Sequence, residues 1–214
     1  MQGPLVNLRK AALFGLFNLM LISPLMAQTV NIVGFGDSLM AGYQLPNIDA
    51  FPVKLEAALK DRGYDVRVQN AGVSGDTTSG GLARLNWSVP DDTDLVILEL
   101  GGNDALRGIT PDITSANLDQ MIESLKTRSI DVILVGILAP PNMGDSYSDA
   151  FNPIYEQLAQ KHDVPLYPFF LDGVITDPSL MLADGIHPNG KGTTVMAEKL
   201  LPLVANYLDE TPPS

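Results

Sequence analysis

Between residues 30 and 208 the chain alternates short apolar runs with longer stretches of helical period, and that alternation leaves few folds open to it. Val30–Phe35 and Leu95–Leu100 are almost wholly apolar, as are most of residues 131–138; Val66 and Val68 alternate with polar residues over 64–69, and 164–170 adds a shorter run. Runs apolar on both faces suit strands of a parallel sheet covered on both sides. Between the runs, Phe51, Leu55, Ala58 and Leu59 recur at helical spacing beside Pro52, which suits a first turn, and Gly63 ends the stretch. Ile113, Leu118, Met121, Ile122 and Leu125 mark one face of a helix over 112–128, and further helices are predicted over 147–161 and 192–208. Strands alternating with helices predict an α/β fold, a three-layer α/β/α sandwich around a central parallel sheet. In such sheets the ligand crevice lies beyond the carboxyl ends of the strands, where the strand order reverses. The order itself is left open by the sequence.

Residues 1–27 stand outside this pattern. Arg9 and Lys10 precede an apolar run from Ala11 to Ile22, and Ser23, Pro24 and Ala27 follow. That is the layout of a secretory signal peptide, and a run of about 12 residues is short of the roughly 20 that span a bilayer. Leu25 is bulky for its place before a cut after Ala27, and an uncleaved N-terminal anchor is the alternative. The expectation is an exported chain, periplasmic or secreted, with no stable membrane anchor after cleavage and with residues 28–214 as one domain. Cysteine is absent, so neither a lipid-modified cysteine nor a disulfide is available and the core alone must hold the fold. Losing Arg9 and Lys10 would move the formal charge from −12 to −14. An acidic body of this kind repels phosphate backbones, which argues against nucleic acid as a partner; solubility explains the charge. Nothing in the sequence speaks to oligomeric state.

Three loops rich in small and polar residues follow the first three predicted strands. They are Gly36-Asp37-Ser38-Leu39, the stretch from Asn70 to Asp76, and Gly101-Gly102-Asn103-Asp104. A parallel sheet gathers all three at one edge. A serine hydroxyl needs a neighbouring base, and the chain holds two histidines. His162 follows a predicted helix in Lys161-His162-Asp163, where a solvated basic C-terminus is the simpler explanation. His187 lies in Asp184-Gly185-Ile186-His187-Pro188, where the acid three residues ahead can fold back onto one ring nitrogen and leave the other for a hydroxyl. Donors for an oxyanion are offered by the Ser38 and Gly75 backbone N–H groups and the Asn103 amide. Each residue also has a plainer reading: Ser38 and Asp184 as helix caps, Gly75 as a turn residue, Asn103 and Asp104 as turn formers. Asp37 and Asp76 read as acceptors holding their loops. Two distant histidines without cysteine give no metal site, no phosphate loop follows Gly36, and no cofactor is expected.

Gly36-Asp37-Ser38-Leu39, Ser74-Gly75-Asp76, Gly101-Gly102-Asn103-Asp104 and Asp184-Gly185-Ile186-His187-Pro188 stand in the order of the signature blocks of the SGNH (GDSL) hydrolases. From about Asn31 to Leu208 the chain resembles that family, and is most similar to its bacterial periplasmic thioesterase, lysophospholipase and arylesterase branch. The resemblance implies a flavodoxin-like sandwich, with Ser38 as nucleophile, His187 as base and Asp184 as its orienting acid. It also implies an oxyanion hole of Ser38, Gly75 and Asn103, and an acyl-serine route for hydrolysing small ester or thioester substrates. Leu39, Tyr43, Leu106, Ile109, Pro141 and Met143, with Met40, Pro140 and Tyr147 beside them, are candidates to line an acyl site, and each of them could instead pack the core. Arylesters, acyl thioesters and lysophospholipids all stay open as substrates. A carbohydrate O-acetylesterase is the same chemistry with a polar pocket, although the single tryptophan, Trp87, offers little platform for stacking sugars. A non-catalytic acyl- or glycan-binding module on the same fold is the alternative from another class.

Overall fold

The computed structural model describes residues 29–211. The expected signal peptide, residues 1–27, therefore lies outside the described residues. Five parallel strands form the sheet: β1 (Val30–Gly36), β2 (Val66–Gly72), β3 (Leu95–Glu99), β4 (Asp131–Val135) and β5 (Leu166–Tyr167), in the order β2-β1-β3-β4-β5. Every residue of β3 is buried, as its near-continuous apolar run requires of a central strand. Helix α2 (Phe51–Asp61) packs along α8 (Gly190–Glu210) on one side. On the other side α5 (Pro111–Thr127) lies between α3 (Thr78–Ser88) and α7 (Ile154–His162). The short helices α1 (Ser38–Ala41), α4 (Gly102–Leu106) and α6 (Asp145–Phe151) belong to the strand-to-helix connections. The expected α/β/α sandwich is thus the observed fold.

The order 2-1-3-4-5 reverses at β1, so the connections after β1 and β3 diverge to opposite sides and open a crevice between their carboxyl ends. Ser38 follows β1 directly, Gly75 follows β2, and Asn103 follows β3.

Several expectations need correction. The helix expected over 147–161 is two, because Pro153 lacks the N–H that would continue the first, and α7 starts immediately after it. The fifth strand shrinks to Leu166–Tyr167 between Pro165 and Pro168, neither of which can donate to a ladder. The fourth strand ends at Val135 rather than Leu138. On α5, Leu118, Met121, Ile122 and Leu125 are fully buried, whereas Ile113 in the first turn is exposed. Helix α3 has no counterpart among the expected helices. Gly80 and Gly81 obscure its period, yet Thr77 caps it by accepting from the Gly80 N–H, and a side chain at Gly81 would collide with Leu100.

Candidate active site

The loop after β1 is built around Asp37. Its Oδ1 accepts from the Leu39 N–H at 3.0 Å and so caps α1, the part the sequence also offered to Ser38. Ser38 becomes the first helical residue with its side chain half-buried at the crevice. Gly42, at φ 79°, turns the chain out of α1 in a left-handed conformation.

The imidazole arrives from the loop before α8. Asp184 folds back as its spacing allows: Oδ1 accepts from the N–H groups of Ile186 (2.9 Å) and His187 (3.0 Å), while Oδ2 lies 2.8 Å from His187 Nδ1. The His187 N–H, then that of Ile186, then the ring contact hold this carboxyl down at about 2, so it is ionised throughout the neutral range. An ionised carboxylate only accepts, so in the neutral imidazole the ring proton sits on Nδ1 and Nε2 keeps its lone pair. Nε2 lies 2.9 Å from Ser38 Oγ, across 149 residues of sequence. The Tyr43 ring rests against the imidazole, centroids 4.4 Å apart. Asn189, not Asp184, caps α8, accepting from the Lys191 and Gly192 N–H groups.

The second loop is held from both ends. Arg84, a buried cation on α3, pairs with Asp76 at 2.6 Å and donates to the carbonyls of Ala71 (2.8 Å) and Gly36 (2.9 Å), its guanidinium lying over the Phe35 ring. Arg107, just past α4, donates to the Gly75 carbonyl at 2.7 Å. Gly75 sits at φ 83°, a region that favours glycine. Among the described residues, neither its N–H nor that of Ser38 has a protein acceptor. In the third loop the Asn103 amide donates to Asp37 Oδ2 at 2.9 Å, leaving its second N–H for another acceptor. Asp104 points away, accepting from the Thr78 N–H and the Thr78 and Thr114 hydroxyls, and ties α4 to α3 and α5.

Two buried carboxyls lie beneath the site. Burial drives Asp37 up to about 6, against the opposing pull of the Leu39 N–H, Asn103 and His187. Glu99, the last residue of β3, is wholly buried; burial first and the nearby Asp37 second push it well above the usual carboxylate range. Sequence reasoning passed over Glu99 and Arg84. The available signal was one acid closing an otherwise apolar run.

The acyl-site candidates divide. Leu39 and Met40 are core residues, buried against the sheet, so they give the crevice almost no surface. Tyr43 and Leu106 are exposed, Pro141 is exposed and Met143 half-buried in a short turn over Pro141–Met143, and Ile109 is half-buried with its carbonyl held by the Tyr147 hydroxyl at 2.8 Å. Val73 and Ile186, exposed apolar residues in the second loop and beside His187, were not singled out in the sequence.

His162 is not the solvated terminus expected of it. Its ring is buried, with Nε2 2.6 Å from Asp119 Oδ1, because α5 and α7 pack together. Asp119, Glu123 and His162 bring ligand-type atoms within 4.8 Å of one another, and Lys161 already supplies their counter-charge at 2.7 Å from Asp119 and 3.8 Å from Glu123.

Residues 35–195 match the GDSL-like lipase/acylhydrolase family. The chain is 47% identical over 164 residues to an arylesterase of Vibrio mimicus, covering 76% of this chain and 82% of that one. It is 41% identical over 174 residues to thioesterase 1/protease 1/lysophospholipase L1 of Escherichia coli K12, covering 79% and 82%. The crystal structure of AlinE4, an SGNH-hydrolase family esterase, superposes with a TM-score of 0.72 at 43% identity, covering 88% of this chain and all of that one. Matching over most of its length in sequence and in fold, the chain belongs to the GDSL-like lipase/acylhydrolase family.

Proposed function

We propose that this protein hydrolyses carboxylic esters and thioesters through an acyl-serine intermediate, with Ser38 as nucleophile, His187 as general base and Asp184 as the acid that orients it. The observation that carries the reading is the continuous Asp184–His187–Ser38 chain, 2.8 Å and 2.9 Å, in which one ring nitrogen meets the carboxylate and the other meets the hydroxyl. His187 Nε2 takes the Ser38 proton as Oγ bonds to the acyl carbon, and the carbonyl electron pair moves onto oxygen. The Ser38 and Gly75 N–H groups and the free Asn103 N–H are the donors for that charge. Collapse breaks the bond to the leaving oxygen or sulfur, which takes the proton from His187; water then repeats the sequence to release the acid.

Tyr43, Leu106, Ile109, Pro141 and Met143 offer apolar surface for an acyl chain. The names of the relatives, arylesterase and thioesterase/lysophospholipase, fit such a range of substrates. Residues 1–27 serve as a signal peptide in this reading, and the chain works outside the cytoplasm; among the described residues no helix is long and apolar enough to cross a membrane. The test is Ser38→Ala assayed on p-nitrophenyl esters of increasing chain length, beside labelling by a fluorophosphonate. A folded Ser38→Ala enzyme should lose turnover by about 10⁴-fold or more and should not label. Wild-type turnover in that variant would end the assignment, and strict preference for acetyl esters would end the acyl-chain site.

A further inference from the structure

Beneath the crevice lies a buried carboxyl that the mechanism above leaves without a part, Glu99 at the end of β3. Glu99 has no exposed surface, no cation among its hydrogen-bond partners and an Oε1 without any partner among the described residues. Arg84, the neighbouring buried cation, directs its N–H groups to Asp76, Ala71, Gly36 and Ser88. Tyr155, the other polar side chain close by, donates to the Leu100 carbonyl at 2.8 Å. A carboxyl buried without compensation costs the fold free energy, so its retention at the end of a central strand calls for a reason.

Its single contact supplies one. Glu99 Oε2 accepts the Asp37 backbone N–H at 3.2 Å, from below the nucleophile loop. Asp37 in turn places one oxygen on the Leu39 N–H and the other on the Asn103 amide. Gly36 fits the same picture. It lies in a strand, so conformational freedom is not its purpose; a Cβ there would stand 2.4 Å from Glu99 Oε2 and 2.6 Å from the Glu99 carbonyl. The leading glycine of the Gly36-Asp37-Ser38-Leu39 block makes room for this acid.

The geometry points to Glu99 as a positioning residue for the reaction, acting through the Asp37 backbone to aim the Asn103 amide at the developing oxyanion. It touches neither substrate nor the reacting atoms. The inference rests on Asn103 being an oxyanion donor, as proposed above. Anchoring Asp37 fixes the acceptor that holds one Asn103 N–H, and fixing that hydrogen sets the direction of the other, because the amide is planar. A donor used only in the transition state should show in kcat and hardly in KM.

The experiment is a double-mutant cycle between Glu99 and Asn103 on p-nitrophenyl butyrate, with thermal unfolding as the check on folding. Glu99→Met keeps the volume and removes the acceptor; kcat should fall roughly tenfold or more while KM stays within about twofold. Glu99→Gln, which restores an acceptor oxygen without charge, should recover kcat to within about threefold of wild type. In an Asn103→Ala background, Glu99→Met should cost less than about twofold further, since the group it aims is gone. Should Glu99→Met fail to fold, Glu99→Asp retains the carboxyl but stops one methylene short, and the same kcat loss and the same lack of additivity are expected. Unchanged kcat in a folded Glu99→Met or Glu99→Asp enzyme, or costs that multiply fully with Asn103→Ala, would overturn the inference. An Asn103→Ala enzyme at wild-type rate would instead strike the oxyanion assignment itself, so the two failures can be told apart.

Discussion

Two histidine–aspartate pairs of nearly equal length sit in opposite parts of this molecule. His187 and Asp184 meet at 2.8 Å on one loop, three residues apart, with the acid's side chain 35% exposed. His162 and Asp119 meet at 2.6 Å between helices α7 and α5, 43 residues apart, with the ring 8% exposed. The pairing chemistry is the same. What differs is the second ring nitrogen and the element that carries it. At His187 the carboxylate takes Nδ1 and the loop turns Nε2 outward onto a serine hydroxyl. At His162 the carboxylate takes Nε2, Lys161 shares the same acid, and Lys126 donates to the His162 carbonyl, so the pair serves to join helices. A histidine–carboxylate contact therefore marks a catalytic base only when the remaining nitrogen has somewhere productive to point.

Replacing each ring separately is the sharpest way to break this contrast. His187→Ala should lower kcat/KM on short p-nitrophenyl esters by about 10³–10⁶-fold with little change in melting temperature. His162→Ala under the same assay should leave kcat/KM within about twofold. Similar losses at both positions would mean the two pairs had been wrongly separated.

The acids should differ next. Asp184→Asn leaves a side chain able to accept from the two loop N–H groups but removes the charge that fixes the Nδ1 tautomer; a fall in kcat of about 10²–10⁴-fold is expected. Asp119→Asn should spare turnover and lower stability instead. Equal activity of wild type and Asp184→Asn across pH 6–9 would show that the carboxylate does not orient the ring.

How far these roles could be read from the sequence follows the same division. His187 and Asp184 are neighbours in the chain, so a spacing of three told nearly everything about their pairing. The pairing of His162 with Asp119 depends on two helices meeting, and no local pattern carries that. The fold was legible because Val30–Phe35 and Leu95–Leu100 have only one sensible environment, the middle of a parallel sheet. The strand order was not, since either side of β1 could have accepted β3. Helix α3 escaped because its two glycines answer to Leu100 and Asp76 in the folded molecule rather than to helix propensity. Leu39 and Met40 went to the core for a related reason: α1 is one turn long, and only its other side faces the crevice.

Asp37 and Asp119 should also respond to pH with opposite sign. Asp37 beneath the active site is raised from 3.8 to about 6, so its contribution to stability is fully present below about pH 4 and is lost as pH rises through 6. On the order of 2–3 kcal/mol is at stake, at 1.36 kcal/mol for each unit of pKa. Asp119 is lowered: its burial is outweighed by Lys161 and then His162, so its contribution is present above about pH 4 and fades in more acid solution. Urea unfolding from pH 3 to 8 should show Asp37→Asn gaining on wild type as pH rises. Asp119→Asn should lose most at neutral pH and least near pH 3. Parallel pH profiles for the two variants would refute the assignment of opposite signs.

The smallest effect on turnover is expected at His162, and it is the most informative about why this histidine is present at all. Its ring is buried, its Nε2 satisfies Asp119, and Asp163 beyond it ends α7 in a left-handed turn at φ 52°. His162→Gln keeps a donor of similar reach and should cost little. His162→Leu fills the space but takes one of two donors from Asp119 Oδ1, Lys161 keeping the other, and should cost about 0.5–1.5 kcal/mol. In a chain of this size that corresponds to a fall in melting temperature of roughly 1–6 °C, at about 2–4 °C per kcal/mol. Both variants should hydrolyse p-nitrophenyl butyrate within about twofold of wild type. A stable His162→Leu enzyme with impaired turnover would be the informative failure, since it would require the α5–α7 junction to act on the crevice, a coupling for which the Asp119 contact provides no path.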